Sequence, residues 1–321
     1  MPPAEVTVVV VTWQGAHLLP DCLGSLAAQT LAHEVLVVDN ASTDGTADLL
    51  AAEYPGVRTL RLETNTGFAG GVAAALANVH TPYLALLNND AAADHLWLER
   101  SLAALREHPE AAAVTARMRY WDDPGRLNNA GVVLVRGGYG ADRGLDQPDG
   151  PPFDEPAEVF GFSGGAAVLR VDAVRAVGGL PAEFFLYYED TDLSWRLRLA
   201  GWRIRYEPAA IVAHRHAASS DRRSDLFAFY NERNRLLMLL RCAPGSFALG
   251  QLGRFVLTTG SLTARRLVGQ QVADAAVFRL DLRLRVLAAV LARVPTSLRR
   301  RAAISRIATV SRAEILKTWI G

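Results

Sequence analysis

The chain has 321 residues, half of them apolar and 21% charged, so it can bury a large core and is neither a disordered tail nor a coiled coil. A net charge of +1 argues against nucleic-acid binding by bulk charge, yet it hides an asymmetry: residues 1–253 carry a net −9 and residues 254–321 a net +10. The single lysine, Lys317, excludes a GxxxxGK[ST] phosphate loop and argues against Schiff-base chemistry, and two cysteines, Cys22 and Cys242, are too few for a thiol metal cluster or a disulfide framework.

Val6–Trp13 is a β-branched run, the pattern of a strand buried on both faces. It is too short and too weakly flanked by basic residues for a secretory leader, and no window reaches the ~18 apolar residues of a membrane span. Leu18–Gln29 reads as a helix with Leu18, Leu19, Cys22, Leu23 and Leu26 on one face. Strand Val35–Val38, helix Thr46–Glu53, strand Val57–Leu62, a glycine-rich turn Asn65–Gly71, helix Val72–Asn78 and strand Tyr83–Leu87 follow. This alternation predicts an α/β fold with a parallel sheet wound by right-handed crossovers, and ligands bind such sheets at the carboxyl ends of the strands. Here those ends carry Trp13-Gln14, Asp39-Asn40, Asn65 and Asn88-Asn89-Asp90.

Beyond Trp121 the chain reads as loops and short hairpins to Pro156, then strands Val159–Val171 and Arg203–Val212 around helix Thr191–Ala200. From about Leu226 the pattern is helical with arginine on most exposed faces. The expected division is a catalytic domain over 1–225 and a basic helical region over 226–321.

Several clusters suit chemistry. Asp39, at a strand end, can accept from a base N–H or a ribose hydroxyl, whereas Asp44 and Thr46 suit an Asx turn and helix cap. Asn65–Gly71 would let a diphosphate approach the backbone at a helix start, although it is not a GxGxxG fingerprint. Asp90 suits a hard divalent cation that keeps several waters. After Phe184–Tyr188, the acids Glu189 and Asp190 suit a walled pocket and general-base work, while Asp192 suits a solvated first turn. His214 and His216 follow an apolar strand, and a histidine there can complete a metal site at Asp90.

In order, the segments VVVVTW, CLGSLAAQT, VVDNASTDGT, NTGFAGG, LLNND, FFLYYEDTDLSWRLRLAGW, VAHRH and YNERNRL resemble the inverting GT-A glycosyltransferases of family 2, especially the rhamnosyltransferase-like branch. The resemblance covers residues 6 to about 240. It implies a GT-A fold, a Rossmann-like, mostly parallel sheet flanked by helices with a helical C-terminal extension. It implies that Thr12, Trp13, Asp39 and Asn40 lie at the nucleotide base. Asn65, Gly67 and Gly71 would follow the ribose and diphosphate, beside Asn88 and Asn89. Asp90 and His214 would hold Mg²⁺ or Mn²⁺, Asp190 beside Glu189 would be the catalytic base, and Gly164, Gly165 and Trp195 would border the sugar and acceptor. Gln14, Asn88 and Leu180-Pro181-Ala182 depart from the family pattern, where asparagine, a first carboxylate and Phe-Asp-Glu are common.

The implied reaction is metal-assisted transfer of a sugar, rhamnose among the candidates, from a nucleotide-diphosphate donor to a glycan or lipid-linked acceptor. The expected location is the cytoplasm, peripheral to the inner face of the membrane. Two other readings are a nucleotidyltransferase, disfavoured because Val6–Gln14 has no basic residue, and a non-catalytic sugar- or nucleotide-binding module. In the basic C-terminal region, Leu282–Val294 beside Arg299-Arg300-Arg301 reads either as packed helices with solvated arginines or as a patch for anionic membrane.

Overall fold

A computed structural model describes residues 3–215, 224–271, 273 and 275–321; His216 lies outside them. The first half alternates β1 (Val6–Thr12), α1 (Leu19–Ala27), β2 (Glu34–Asp39), α2 (Thr46–Glu53), β3 (Arg58–Arg61), α3 (Gly67–Leu76) and β4 (Tyr83–Leu87). Then come β5 (Ala91–Ala93), α4 (Trp97–Glu107), β6 (Ala111–Tyr120), β7 (Leu127–Asn129), β8 (Val132–Val135), β9 (Tyr139–Asp142), β10 (Ala157–Glu158), β11 (Ala166–Arg170) and α5 (Val171–Ala176). A 3₁₀ turn at Ala182–Phe184 leads to α6 (Glu189–Leu199) and β12 (Arg203–His214).

The main sheet runs β10-β12-β6-β11-β4-β1-β2-β3, with β5 on β12 and β7 on β6. Strands β3, β2, β1 and β4 are mutually parallel, β11 runs antiparallel between β4 and β6, and β12 is parallel to β6. β1 shows why the sheet is covered on both faces. Val6, Val8 and Val10 enter one core with α1 and α4, and Val9 enters the other with α3, α5 and α6, as the two-residue strand period requires. The strand order reverses at β1, with β2 on one side and β4 on the other, so the crevice expected at a switch point opens beyond Thr12 and Leu87.

Three boundaries differ from the sequence reading. α3 starts at Gly67, because its glycines let the first turn press on β1: a Cβ at Gly71 would lie 2.7 Å from Val11 Cγ1. The expected strand Val159–Val171 is broken by a turn at Gly164-Gly165, leaving β11. α6 begins at Glu189, so all three acids of the motif lie in its first turn.

The C-terminal region holds α7 (Asp225–Cys242), α8 (Gly245–Leu267), a 3₁₀ turn at Ala276–Phe278, α9 (Leu280–Ile307) and α10 (Arg312–Trp319). Ser224 caps α7 by accepting from Phe227 N. These helices share one apolar cluster with α6 and β8: Trp195 and Leu199 meet Leu236, Cys242, Phe255, Val286, Val290 and Ile315. The two readings of the α9 stretch divide along its faces, with Leu284 and Leu291 exposed. Leu282, Val286 and Val290 are buried, Arg300 donates to Glu183, and Arg301 caps the carbonyls of Leu240 and Ala243. Of the arginine triplet only Arg299 stays exposed without a partner among the described residues.

Candidate active site

The ends of β1 and β4 are tied together. Thr12, buried, accepts through Oγ1 from Asn89 Nδ2 at 2.9 Å. Beyond it Trp13 is 53% exposed, an unusual position for an indole and one free to stack. At the end of β2, Asp39 is fully buried; its Oδ1 accepts from Ser42 N at 2.9 Å. Its Oδ2 has no hydrogen-bond donor, with Arg61 Nε 3.6 Å away. A buried acceptor left without a donor is costly, so its retention suits a ligand N–H or hydroxyl. A cavity of about 310 Å³ beside it is lined by Asp39, Arg61, Leu50 and Tyr54. Asp44 makes the expected Asx turn, accepting from Thr46 N, and also accepts from Ala16 N; the N-cap of α2 is Gly45.

Asn40 is corrected from a ligand contact to a brace. It is buried, its Oδ1 accepts from Thr66 N at 2.8 Å, and its Nδ2 donates to Gly67 O at 3.0 Å. Asn65 Oδ1 accepts from Gly67 N, completing the turn. Gly67 has φ +70° and its Cβ position is filled by the Phe185 carbonyl, so glycine is required there. Gly71 faces Val11 in the sheet, away from the crevice, for the packing reason given above.

Asp90 and His214 come together across β4 and β12. His214 Nε2 lies 3.1 Å from Asp90 Oδ1 and 3.3 Å from Asn88 Nδ2, and its Nδ1 lies 2.8 Å from Asn128 Oδ1. An amide oxygen only accepts, so the hydrogen-bond network assigns the proton to Nδ1 and the lone pair to Nε2. That lone pair faces a carboxylate oxygen, an arrangement that a cation or a second proton between them relieves. One carboxylate and one imidazole fit a divalent ion whose other ligands are phosphate oxygens and water. No group of three or more His, Cys, Asp or Glu that could hold a metal occurs among the described residues. Burial pushes the nearby Cys22 thiol well above its usual range, and its Sγ donates to Asn88 O at 3.5 Å. A cavity of about 430 Å³ lies against His214, lined by Trp121, Asp122, Asp123, Arg126 and Asp146.

The three acids of α6 have three different environments. Glu189 is buried, its Oε2 has no partner, and its pKa is pushed well up by burial and then by the charges of Asp190 and Asp192. Asp192, expected to be solvated, is fully buried and paired with Arg196 at 2.7 Å, because α6 is covered by α7 and α9. Asp190 is half-buried. Its Oδ1 accepts from Thr191 N and Oγ1, its Oδ2 from Gly164 N at 3.0 Å. Loss of water raises its pKa, against the lowering effect of those hydrogen bonds. Gly165 O in turn accepts from Asn88 N at 2.9 Å, linking the Asp190 turn to the end of β4. Trp195 is corrected: it is fully buried, edge-on to Phe160 in the α6–α7 cluster, and borders no cleft.

The sequence reading missed the clamp on this loop. Phe185, Tyr187 and Tyr188 all have φ between +66° and +68°, a costly conformation for bulky residues. Asn234 Nδ2, on α7, lies 2.8–2.9 Å from the carbonyl oxygens of Phe184, Leu186 and Tyr187. Arg233 donates to the carbonyls of Glu183 and Phe184. The YNERNRL segment was the available signal, but helix periodicity alone does not say which side chain reaches a loop. Asn128 carried no signal.

Residues 7–178 match the family Glycosyl transferase family 2. The chain is 31% identical over 239 residues, 67% of its length and 77% of the relative's, to the N-acetylglucosaminyl-diphospho-decaprenol L-rhamnosyltransferase of Mycobacterium tuberculosis. Among solved structures it is similar to Staphylococcus aureus TarS 1-349 in complex with UDP-GlcNAc, at TM-score 0.55, 18% identity, and 98% and 91% coverage of the two chains. It is also similar to the mannosyltransferase PcManGT of Pyrobaculum calidifontis in complex with GDP-Man and Mn²⁺, at TM-score 0.52, 18% identity, and 98% and 79% coverage. The fold is therefore GT-A, and the chain belongs to glycosyl transferase family 2.

Proposed function

We propose that this glycosyltransferase moves a sugar, with rhamnose or another deoxyhexose favoured, from a nucleotide-diphosphate donor to a hydroxyl of a lipid-linked glycan acceptor, with inversion. The observation that carries the reading is the sorting of the α6 acids: Glu189 buried with its pKa pushed well up, Asp192 ion-paired, and Asp190 alone half-buried, with backbone donors on its carboxylate and a raised pKa. A single displacement needs one carboxylate near the anomeric carbon, whereas a glycosidase needs two. Asp190 takes the proton of the acceptor hydroxyl as its oxygen attacks. The bond from the anomeric carbon to the diphosphate oxygen breaks, and the nucleoside diphosphate leaves.

Trp13 stacks on the base and Asp39 Oδ2 accepts from it or from the ribose. Asp90 and His214 would hold Mg²⁺ or Mn²⁺, which when bound neutralises the departing diphosphate. Gly164 N aims Asp190, Asn89 ties the β4 end to Thr12 of β1, and Asn88 ties it to Gly165 and His214. The name of the M. tuberculosis relative couples rhamnose to a decaprenyl-diphosphate carrier. A carrier of that kind supports a peripheral location for this enzyme at the cytoplasmic face of a membrane; no helix among the described residues is long and apolar enough to cross one.

The test is calorimetry with UDP, dTDP and GDP, with and without Mn²⁺, followed by transfer assays with the matching sugar donors. Metal-dependent nucleotide binding together with transfer supports the reading. Binding without transfer from any donor overturns it in favour of a binding module.

A further inference from the structure

α8 is the least covered long helix of the molecule. Of its 23 residues only Ala248, Phe255, Thr259 and Leu262 are buried. These recur every three, four or seven residues and form one narrow stripe that packs on α7 and α9, with Arg283 donating to Phe255 O and Thr259 Oγ1. On the opposite side Leu249, Val256, Leu257 and Leu267 are exposed by 64%, 47%, 75% and 82%, and Val268 beyond the helix by 71%. At 3.6 residues per turn, the four leucine and valine positions of the helix and Ala264 fall in one sector about 100° wide. Arg254 and Arg265 border that sector. From Gly245 to Gln271 there are three arginines and no acidic residue.

We infer that α8 lies in the plane of a bilayer surface, with this apolar sector in the acyl boundary and its arginines on anionic headgroups. The inference rests on the peripheral location proposed above and names the element responsible, which is not the arginine triplet of α9. Charge decides the occupant. A second copy docked on the same sector would bring six arginines to one seam with no acid on either helix to neutralise them. Anionic lipid neutralises them, and burying leucine among acyl chains needs no matching protein surface. The helix is too polar to cross, so it lies flat.

The test is co-sedimentation of the full chain with vesicles of equal parts phosphatidylglycerol and phosphatidylcholine, and with phosphatidylcholine alone. The wild type is expected to prefer the anionic vesicles, the preference falling with salt. Arg254→Gln and Arg265→Gln should each weaken anionic binding about fivefold. Leu257→Asp with Leu267→Asp should weaken it by at least about tenfold. Both positions are exposed, so nucleoside diphosphate binding should be unchanged and serves as the check on folding. Undiminished vesicle binding by the leucine variant overturns the role of α8 and leaves membrane association itself standing. No binding by the wild type overturns both. A concentration-dependent dimer lost in the leucine variant overturns the lipid assignment in favour of a second copy. Transfer assays read the catalytic proposal independently of all these outcomes.

Discussion

Gly164 donates its backbone N–H to Asp190 Oδ2 over 3.0 Å, so the carboxylate is held by main chain that no side-chain substitution elsewhere removes. Asp190→Asn keeps the shape but not the basic oxygen. Transfer should fall by about 10²–10⁴-fold while nucleoside diphosphate affinity stays within a few-fold. Steady-state rates beside calorimetry check this; a variant that turns over like the wild type removes Asp190 from the role of base.

The raised pKa of Asp190 sets the acid limb of the rate profile. The base form is lost as pH falls through the folded value, so activity should begin to decline above the ordinary aspartate value of about 3.9. A kcat profile that stays flat down to pH ~4 contradicts the assignment.

Glu189 gives a stability prediction of opposite sense to an ion-paired acid. Its folded pKa lies above the unfolded one, so between the two the native state holds a proton that the unfolded chain has released. Stability therefore falls as pH rises through that window, by up to about 1.4 kcal/mol per pH unit. Glu189→Gln should raise the melting temperature at neutral pH and flatten its pH dependence, with transfer largely kept. Thermal melts across pH 4–8 read both effects, and a lowered melting temperature at pH 7 would show that the buried group is ionised and paired.

Asn128 orients His214 from outside the proposed metal shell. Asn128→Ala should weaken the Mn²⁺ dependence of nucleotide binding by about 10–100-fold without touching a proposed ligand. A Mn²⁺ titration of nucleotide affinity measures it, and an unchanged midpoint separates His214 from the metal.

Asn234 fastens the strained aromatic loop through one amide nitrogen. Asn234→Ala leaves buried carbonyls without a donor, worth about 1–3 kcal/mol in urea unfolding. Loosening the residues before Asp190 should lower kcat by about 10–100-fold with nucleotide affinity unchanged. Equal losses in both would mark Asn234 as a general support of the fold only. Asn234→Asp, which cannot donate, should be no better than alanine.

The parallel half of the fold was legible in the sequence because each of its strands is a short apolar run ended by a polar cluster, as at Val35–Asp39 and Tyr83–Asn89. The same clusters marked Asp39, Asp90, Asp190 and His214, which lie at strand or helix ends where periodicity stops. Burial was harder to read. Trp195 and Asp192 sit on α6, whose outer face is covered by α7 and α9, helices that begin 26 and 81 residues beyond its end, so no local pattern separates a pocket wall from a core. The glycine run suits either a diphosphate or tight helix–sheet packing in sequence, and the choice at Gly71 depends on Val11, sixty residues earlier. Asn234 acts on carbonyls about 50 residues away and Asn128 on a ring nitrogen 86 residues away, neither of which can be located before the chain is folded.

The contact between Gly67 and Phe185 has a mechanical corollary. The donor-side turn and the aromatic loop touch with no room for a methyl group, and Ala69 N donates to the same Phe185 carbonyl at 3.1 Å. The two walls of the cleft are thus fastened edge to edge. Neither can swing aside without carrying the other, so any displacement of the turn at Gly67 also moves the backbone that leads into Asp190.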